Sequence, residues 1–165
     1  MKRHHPGICL YQPEIPQNTG NIGRLAAATA CRLHLVRPFG FSTNDKNLRR
    51  PGLDYWPFLD LEIHDEPGDL FAAAGQNIAF FSKSASNCYN QVPLDTRLLV
   101  FGRETTGLPD EFRRRWGEER FFRIPMFHTG VRSLNLANAV AIVVYDYLSR
   151  KGLLQEVQDE PEGSL

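Results

Sequence analysis

The chain has 165 residues, and its 19 basic and 19 acidic side chains leave no formal net charge at pH 7. This length indicates one domain, and the neutral balance excludes nucleic-acid binding through overall charge, so any such binding must come from local basic clusters. Cys9, Cys31 and Cys88 lack CxxC spacing, and no histidine accompanies them at the spacing of metal ligands. Disulfides and a bound metal are therefore not expected.

Strands and helices alternate along the chain. Strands are predicted at residues 7–11, 33–36, 78–81, 98–101 and 121–124, with a weak strand at 61–64, and those at 78–81 and 98–101 are nearly continuous apolar runs. Helices are predicted at residues 22–32, 67–74, 110–116 and 134–148, with loops at 17–21 and through most of 39–58. The alternation predicts an α/β fold with a mostly parallel sheet flanked by helices.

Both ends of the chain are polar. Residues 1–6 are charged and no long apolar stretch follows them, so no signal peptide is predicted and the protein is expected in the cytoplasm. Residues 155–165 form an acidic tail that is predicted to be disordered, which leaves a single domain over residues 1–154. No apolar run is long enough to cross a membrane, so no membrane partner is expected.

The first polar cluster, residues 18–24, follows the first predicted strand. Asn and Gly tolerate the backbone angles of a tight turn, and Arg24 falls in the first turn of the predicted helix. A capped helix with a surface arginine accounts for the cluster equally well. A dinucleotide-binding fingerprint is excluded, because GxGxxG is absent and no well-placed acidic residue ends the second strand.

The second polar cluster, residues 101–109, follows the predicted strand at 98–101. Gly102 would let a ligand approach the backbone closely. Glu104 stands at the carboxyl end of a strand, where parallel sheets place the residues that contact ligands. A solvated loop carboxylate is the alternative interpretation of an isolated glutamate, and the local sequence does not decide between the two.

The third polar cluster is the loop that carries Arg132, Ser133 and Asn135 into the final helix. A helix start offers free N–H groups, and polar side chains beside them favour a bound ligand. Arg132 alone would be an ordinary surface cation. The helix that follows is apolar on nearly all sides, so we expect one side to pack within the chain and the other against a second copy.

Together the three clusters resemble the motifs of the SPOUT-class, TrmH-like RNA ribose methyltransferases. The matching segments are residues 18–24, 100–108 and 124–138. Within that class the chain is similar to the small, single-domain tRNA wobble-nucleotide 2′-O-methyltransferases. This closer similarity lies in residues 13–21, 46–55 and 102–109. The resemblance implies a parallel sheet whose carboxyl-terminal segment is threaded into a trefoil knot, which composition and periodicity do not predict.

The resemblance also implies the cofactor and the assembly. The methyl donor would be S-adenosylmethionine, with S-adenosylhomocysteine as product, and no metal would be needed. The cofactor would bind in a bent conformation among the knotted loops, in a pocket formed by Phe80, Leu99, Gly102, Ile124, Met126, Ser133 and Leu134. Two copies would form a homodimer through the final helix.

Catalysis is assigned by the resemblance to Arg24, whose fork would hold the phosphate and the 2′-oxygen of the substrate nucleotide. The side chains expected to shape the site around it are Asn18, Glu104, Arg132, Ser133 and Asn135. The expected partner is the anticodon stem-loop of a tRNA. It would be held by a basic rim of Lys46, Arg49, Arg50, Arg113, Arg114, Arg115 and Arg132.

Two alternatives stay open from the sequence. The substrate could be ribosomal RNA or another tRNA position, although relatives of that kind often carry an additional RNA-binding domain that this chain lacks. A non-catalytic RNA-binding protein could keep the same fold without the reaction. The sequence determines neither the tRNA isoacceptor nor the choice between cytidine and modified uridine.

Overall fold

A seven-stranded, fully parallel sheet forms the centre of the computed structural model, which describes residues 5–42 and 55–156. The strands are β1 (Gly7–Tyr11), β2 (Leu33–Val36), β3 (Leu61–His64), β4 (Ile78–Phe81), β5 (Asn87–Cys88), β6 (Leu98–Phe101) and β7 (Phe121–Arg123). Their order across the sheet is β3-β2-β1-β6-β4-β7-β5. The predicted α/β fold is confirmed. Only β5 was not predicted, because two residues are too few to show a strand pattern.

In the described part of the chain, four α-helices flank the sheet: α1 (Pro16–Ala28), α2 (Gly68–Ala74), α3 (Asp110–Trp116) and α4 (Leu136–Arg150). The prediction for α1 is wrong at both ends, since it placed the helix at residues 22–32. Residues 17–21, expected to be a loop because of their Asn and Gly content, form the first turns of the helix. Pro16 suits this start, because the first helical position has no intrahelical use for an N–H group.

The sheet is covered on both faces, as its alternating side chains require. On one face, α1 and α4 pack on apolar side chains of β1, β2 and β6. Ile8, Leu33 and Leu99 are examples, one from each strand. On the other face, Phe71 of α2 and Phe112 of α3 pack on the remaining strand residues. Two separate apolar clusters therefore hold the carboxyl ends of the strands in place.

Helix α4 is only half covered by the described residues. Its buried face carries Val140, Val143, Val144, Tyr147 and Leu148. Its outer face carries Ile142 and Tyr145, which are 37% and 47% exposed. The expectation of an inner apolar face is confirmed, and within residues 5–42 and 55–156 nothing covers the outer face. Among the described residues, no helix is long and apolar enough to cross a membrane.

Candidate active site

A cavity of about 640 Å³ lies at the carboxyl ends of β4, β6 and β7. Residues from all three polar clusters line it: Asn18 from the first, residues 101–109 from the second, and residues 132–135 from the third. Its volume falls within the roughly 300–1,000 Å³ of small-molecule sites. Its position is the one where parallel sheets bind ligands, because the loops that follow the strands converge there.

Glu104 joins the second cluster to the first. Its carboxylate accepts hydrogen bonds from the backbone N–H of Glu14 at 2.8 Å and of Ile15 at 3.1 Å. It also accepts one from the side-chain amide of Asn18 at 3.2 Å. Glu104 thus binds, from a distant loop, the backbone of the two residues that directly precede α1. It is therefore not a solvated loop carboxylate.

Glu14 and Thr105 connect the same two loops in the opposite direction. Thr105 donates its backbone N–H to the Glu14 carboxylate at 3.0 Å and its hydroxyl at 2.8 Å. These hydrogen bonds lower the pKa of Glu14, so the carboxylate stays charged at neutral pH. Arg103 adds a further contact by donating to the side-chain oxygen of Gln12. The loops are thus fixed to each other by exchanged contacts.

Asn18 extends this connection to the third cluster. It is 5% exposed, and its Oδ1 accepts a hydrogen bond from Nδ2 of Asn135 at 2.9 Å. Asn135 caps α4, since its own Oδ1 accepts from the N–H of Ala137 at 2.9 Å and of Asn138 at 3.4 Å. A continuous hydrogen-bonded chain therefore runs from Glu104 through Asn18 to Asn135 and brings the three clusters together.

Gly102 lines the cavity, but its close contacts lie within its own loop. A Cβ atom at this position would lie 2.3 Å from the backbone carbon of Gly107 and 2.5 Å from the backbone nitrogen of Leu108. The loop closes on itself because Arg103 and Gly107 exchange backbone hydrogen bonds of 3.1 and 3.0 Å. The loop backbone itself therefore requires glycine at this position, and the approach of a ligand to Gly102 stays a prediction.

The residues assigned to the cofactor divide into two groups. Those that line the cavity are Gly102, Ile124, Met126, Ser133 and Leu134. Phe80 and Leu99 do not line it, because both are fully buried in the apolar clusters on opposite faces of the sheet. Phe81 and Phe101, at the last positions of β4 and β6, line the cavity instead. The sequence locates the correct strands but not the positions where they reach the cavity.

Arg24 is not among the residues that line the cavity, whereas Arg132 and Ser133 are. It lies exposed on α1, with its guanidinium carbon 5.2 Å from the centre of the Tyr55 ring. At about 100° per residue, a position six residues beyond Asn18 lies about 120° away around the helix axis. Asn18 and Arg24 therefore point from α1 in different directions.

Cationic and hydroxyl side chains border the cavity on the α3 side. Arg113 donates to the hydroxyl of Ser84 at 3.0 Å and pairs with Glu118 at 3.1 Å, and it lines the cavity together with Lys83. Sequence reasoning missed residues 82–84, although a polar run directly after the strand at 78–81 was a usable signal. Arg114 and Arg115 are exposed on the same helix. Lys46, Arg49 and Arg50 lie outside the described residues.

Comparison with known proteins gives concordant matches. Residues 6–145 match the model of the SpoU rRNA Methylase family. A tRNA (cytidine(34)-2′-O)-methyltransferase of Methylovorus glucosotrophus is 44% identical over 141 residues, covering 84% of this chain and 91% of that protein. A solved structure that addresses the 2-OH methylation of C/U34 on tRNA is 40% identical, with a TM-score of 0.79, and covers 90% of this chain and 98% of that one.

One further solved structure shares the fold. The SpoU methyltransferase AviRb from Streptomyces viridochromogenes, in complex with the cofactor AdoMet, has a TM-score of 0.73 at 24% identity. The match covers 92% of this chain and 60% of that one. The sheet and its loops are therefore of a kind that the larger methyltransferase also uses.

Proposed function

The chain belongs to the SpoU rRNA methylase family, and we propose that it methylates the ribose 2′-hydroxyl of the wobble nucleotide of tRNA. The nucleotide would be cytidine 34 or 5-carboxymethylaminomethyluridine 34. The observation that carries the proposal is the hydrogen-bonded chain from Glu104 through Asn18 to Asn135, which gathers the three family motifs around one cavity. The relative that is 44% identical is named for this reaction on cytidine 34, which supports the substrate.

The cavity fits S-adenosylmethionine in size and in the character of its walls. Ile124, Met126 and Leu134 provide apolar surface suited to an adenine ring, and Ser133 with the surrounding loop backbone provides hydrogen-bonding groups. When bound, the cofactor supplies a methyl group activated by its sulfonium, and S-adenosylhomocysteine is left after transfer. The proposed transfer requires no metal ion.

The protein's contribution to the reaction is placement and electrostatic stabilisation. A ribose hydroxyl is a weak acid, so its oxygen must be held in line with the methyl carbon while its proton leaves. Both carboxylate oxygens of Glu104 are already engaged by backbone and amide donors. We therefore assign Glu104 and Asn18 to positioning. Arg24 stays protonated and would stabilise the charge that develops on the oxygen.

We propose further that two copies pair through α4. Ile142 and Tyr145 lie three residues apart on one exposed face of this helix, and a second copy would remove them from water. Pairing also bears on Arg24. Because it does not line the cavity of its own chain, we propose that it completes the site of the other protomer.

The RNA surface of the proposal is local. Arg113 borders the cavity and Arg114 and Arg115 follow it on α3, so this helix would contact the phosphates of the anticodon stem-loop. Lys46, Arg49 and Arg50 would extend the same basic rim. A knotted carboxyl-terminal segment and a cytoplasmic location belong to the same proposal.

Transfer of an isotope-labelled methyl group tests the proposed activity. Purified protein and labelled S-adenosylmethionine are incubated with tRNA in one reaction and with ribosomal RNA in another. Each RNA is then digested, and its nucleosides are analysed by mass spectrometry. We expect label in 2′-O-methylcytidine or the 2′-O-methylated uridine derivative from tRNA alone. Label in ribosomal RNA would support the other substrate class. RNA binding without any transfer would support a non-catalytic protein.

A further inference from the structure

A cluster of two imidazoles and a carboxylate lies at the edge of the sheet, away from the cavity. His34 lies on β2 opposite Glu62 of the edge strand β3, and His64 follows two residues later on that strand. Because side chains two apart on a strand point to the same face, Glu62 and His64 both lie beside His34. Within the described residues, these three form the one group of histidine, cysteine and acidic side chains with metal-binding geometry.

The separations within the cluster match those of metal ligands. Nδ1 of His34 lies 3.0 Å from Nε2 of His64 and 3.5 Å from Oε2 of Glu62, and Nε2 of His64 lies 3.9 Å from Oε1 of Glu62. Zinc binds imidazole nitrogen at about 2.0–2.1 Å in a tetrahedron, so its ligand atoms lie about 3.3–3.4 Å apart. The separations of His34 from His64 and from Glu62 lie within a few tenths of an ångström of that value. His64 approaches the other carboxylate oxygen, so the Glu62 carboxylate must turn to place one oxygen at the third corner of the tetrahedron.

The orientation of His34 is fixed by packing. His34 is 7% exposed, and its ring lies against β1 at Gly7. A Cβ atom at Gly7 would be 3.0 Å from Nε2 of His34. The absence of a side chain at Gly7 thus lets Nε2 face β1, while Nδ1 faces His64 and Glu62. A ring held in this way presents one nitrogen to the edge strand without an ordering cost.

The surrounding charge also favours a cation. Arg32 pairs with Asp60 at 2.8 Å and lies farther from Glu62, at 3.7 Å. The two negative charges of Asp60 and Glu62 exceed the single positive charge of Arg32, so the immediate surroundings are net negative when both histidines are neutral. The side chain of Glu62 is 50% exposed, which leaves a side of the cluster open to water and to an entering ion.

We propose that His34, Glu62 and His64 bind one zinc ion, with water at the fourth position. Two imidazoles and a carboxylate form a donor set that zinc uses in proteins. The ion would cross-link β3, the edge strand, to β2. The site shares no residue with the methyl-transfer cavity, so it stands independently of the proposed function. The spacing of cysteines and histidines along the sequence does not reveal it, since parallel pairing brings the ligands together.

Zinc titration of the full-length, tag-free protein after removal of metal tests this site. Calorimetry should show one zinc ion per chain. Glu62→Gln and His64→Gln should each weaken zinc binding by at least about 100-fold, since even the loss of an outer hydrogen-bonding partner of a metal ligand costs about 10–100-fold. His128→Gln removes an exposed imidazole from a distant loop and is the matched control. It should bind zinc as the wild type does.

Cobalt provides a second readout that does not depend on heat signals. Co²⁺ in a tetrahedral site develops visible absorption bands, which should appear with wild type and His128→Gln and be absent with His64→Gln. Circular dichroism confirms that each variant is folded. Equal zinc affinity in wild type and both cluster variants would overturn the proposal. So would the absence of zinc binding in the wild type, which would leave His34 and His64 as a hydrogen-bonded pair.

Discussion

Glu104 acts at the scale of a single side chain and affects two loops and a helix. Glu104→Ala removes the acceptor of three hydrogen bonds and leaves the N–H groups of Glu14 and Ile15 without it. We expect the free energy of unfolding to fall by about 1–3 kcal/mol. Methyl transfer should fall about 100-fold, because misplacement of the site by an ångström has an effect of that order. Chemical denaturation and single-turnover kinetics measure the two effects.

Asp110→Asn is the matched control for Glu104. It removes a carboxylate from the same cavity wall at an exposed position. It should leave the unfolding free energy within about 0.5 kcal/mol of wild type, as exposed substitutions usually do. If Glu104→Ala had the same unfolding free energy and the same rate of methyl transfer as this control, Glu104 would not be the residue that holds the loops together.

Gly102 gives a sharper test, because two glycines of the chain differ in their surroundings. A Cβ atom at Gly102 would meet the backbone of Gly107 at 2.3 Å, whereas one at Gly68 would meet nothing within 4 Å. Gly102→Ala should therefore distort the loop and weaken S-adenosylmethionine binding at least about tenfold, by displacing groups that contact the cofactor. Gly68→Ala, in the first turn of α2, should leave binding unchanged and stabilise the fold by about 0.4–1 kcal/mol.

Calorimetry of cofactor binding distinguishes these variants. Wild-type affinity in a folded Gly102→Ala protein would show that this loop does not form the cofactor site.

Gly102 also shows what the sequence can predict for a single residue. A glycine after a strand predicts a close approach, but the partner of that approach, here the backbone of Gly107, depends on how the loop closes in three dimensions.

Tyr147 stabilises α4 at the scale of a whole element. Its ring is fully buried, and its hydroxyl lies 2.8 Å from the carbonyl oxygen of Leu94 and 2.7 Å from that of Thr96. Tyr147→Phe leaves these carbonyl groups, of which that of Thr96 is buried, without that donor and should reduce the unfolding free energy by about 1–3 kcal/mol at pH 7. Tyr145→Phe, at an exposed position of the same helix, should change it by much less.

The pH dependence of this difference follows from the pKa of Tyr147. Burial, and to a lesser extent the Asp95 carboxylate, raises the pKa of Tyr147 to about 12, from 10 in the unfolded chain. The folded state keeps the proton where the unfolded state loses it, so this contribution is present below pH 10 and is lost as pH rises towards 12. The stability gap between wild type and Tyr147→Phe should therefore narrow over that range. Denaturation at several pH values measures it, and a constant gap would contradict the account.

The elements themselves were largely predictable, because mostly apolar runs of four or five residues mark β1, β2, β4 and β6 at their observed bounds, and the weaker alternating pattern of residues 61–64 marks β3. Helix α1 was not. Its first turns contain Asn18, Gly20 and Asn21, which by themselves favour a turn. The carboxylate that binds the backbone just before the helix belongs to Glu104, and no local rule can detect a contact supplied from another part of the chain.

At the scale of the whole molecule, variants of Arg24 distinguish an active site formed by one chain from an active site shared between two protomers. Arg24→Ala and Gly102→Ala should each abolish most methyl transfer, and Arg24→Lys should not restore it, since a point charge cannot reproduce a two-pronged contact. If the arginine serves the other protomer, unfolding and refolding the two inactive variants together should restore activity. Random pairing through a two-fold interface would give about a quarter of wild-type sites. No restoration would place Arg24 in the site of its own chain or remove the dimer.

The placement of Arg24 also shows the limit of the sequence for the site. Asn18, Glu104 and Asn135 were predicted in three separate clusters and meet in the structure. The direction in which Arg24 points depends on the true start of α1, which the local sequence does not reveal. The edge-strand cluster of His34, Glu62 and His64 escaped prediction for the same reason, because strand order creates it.

Mapping the methylated position on tRNA tests the proposed methylation of the wobble nucleotide. Wild-type protein and Gly102→Ala are each incubated with labelled S-adenosylmethionine and with tRNA from a strain that lacks this protein, and the RNase fragments are sequenced by mass spectrometry. We predict label on the ribose of nucleotide 34 with the wild type and little or none with the variant. Label at any other nucleotide, or none with the wild type, would contradict the proposed function.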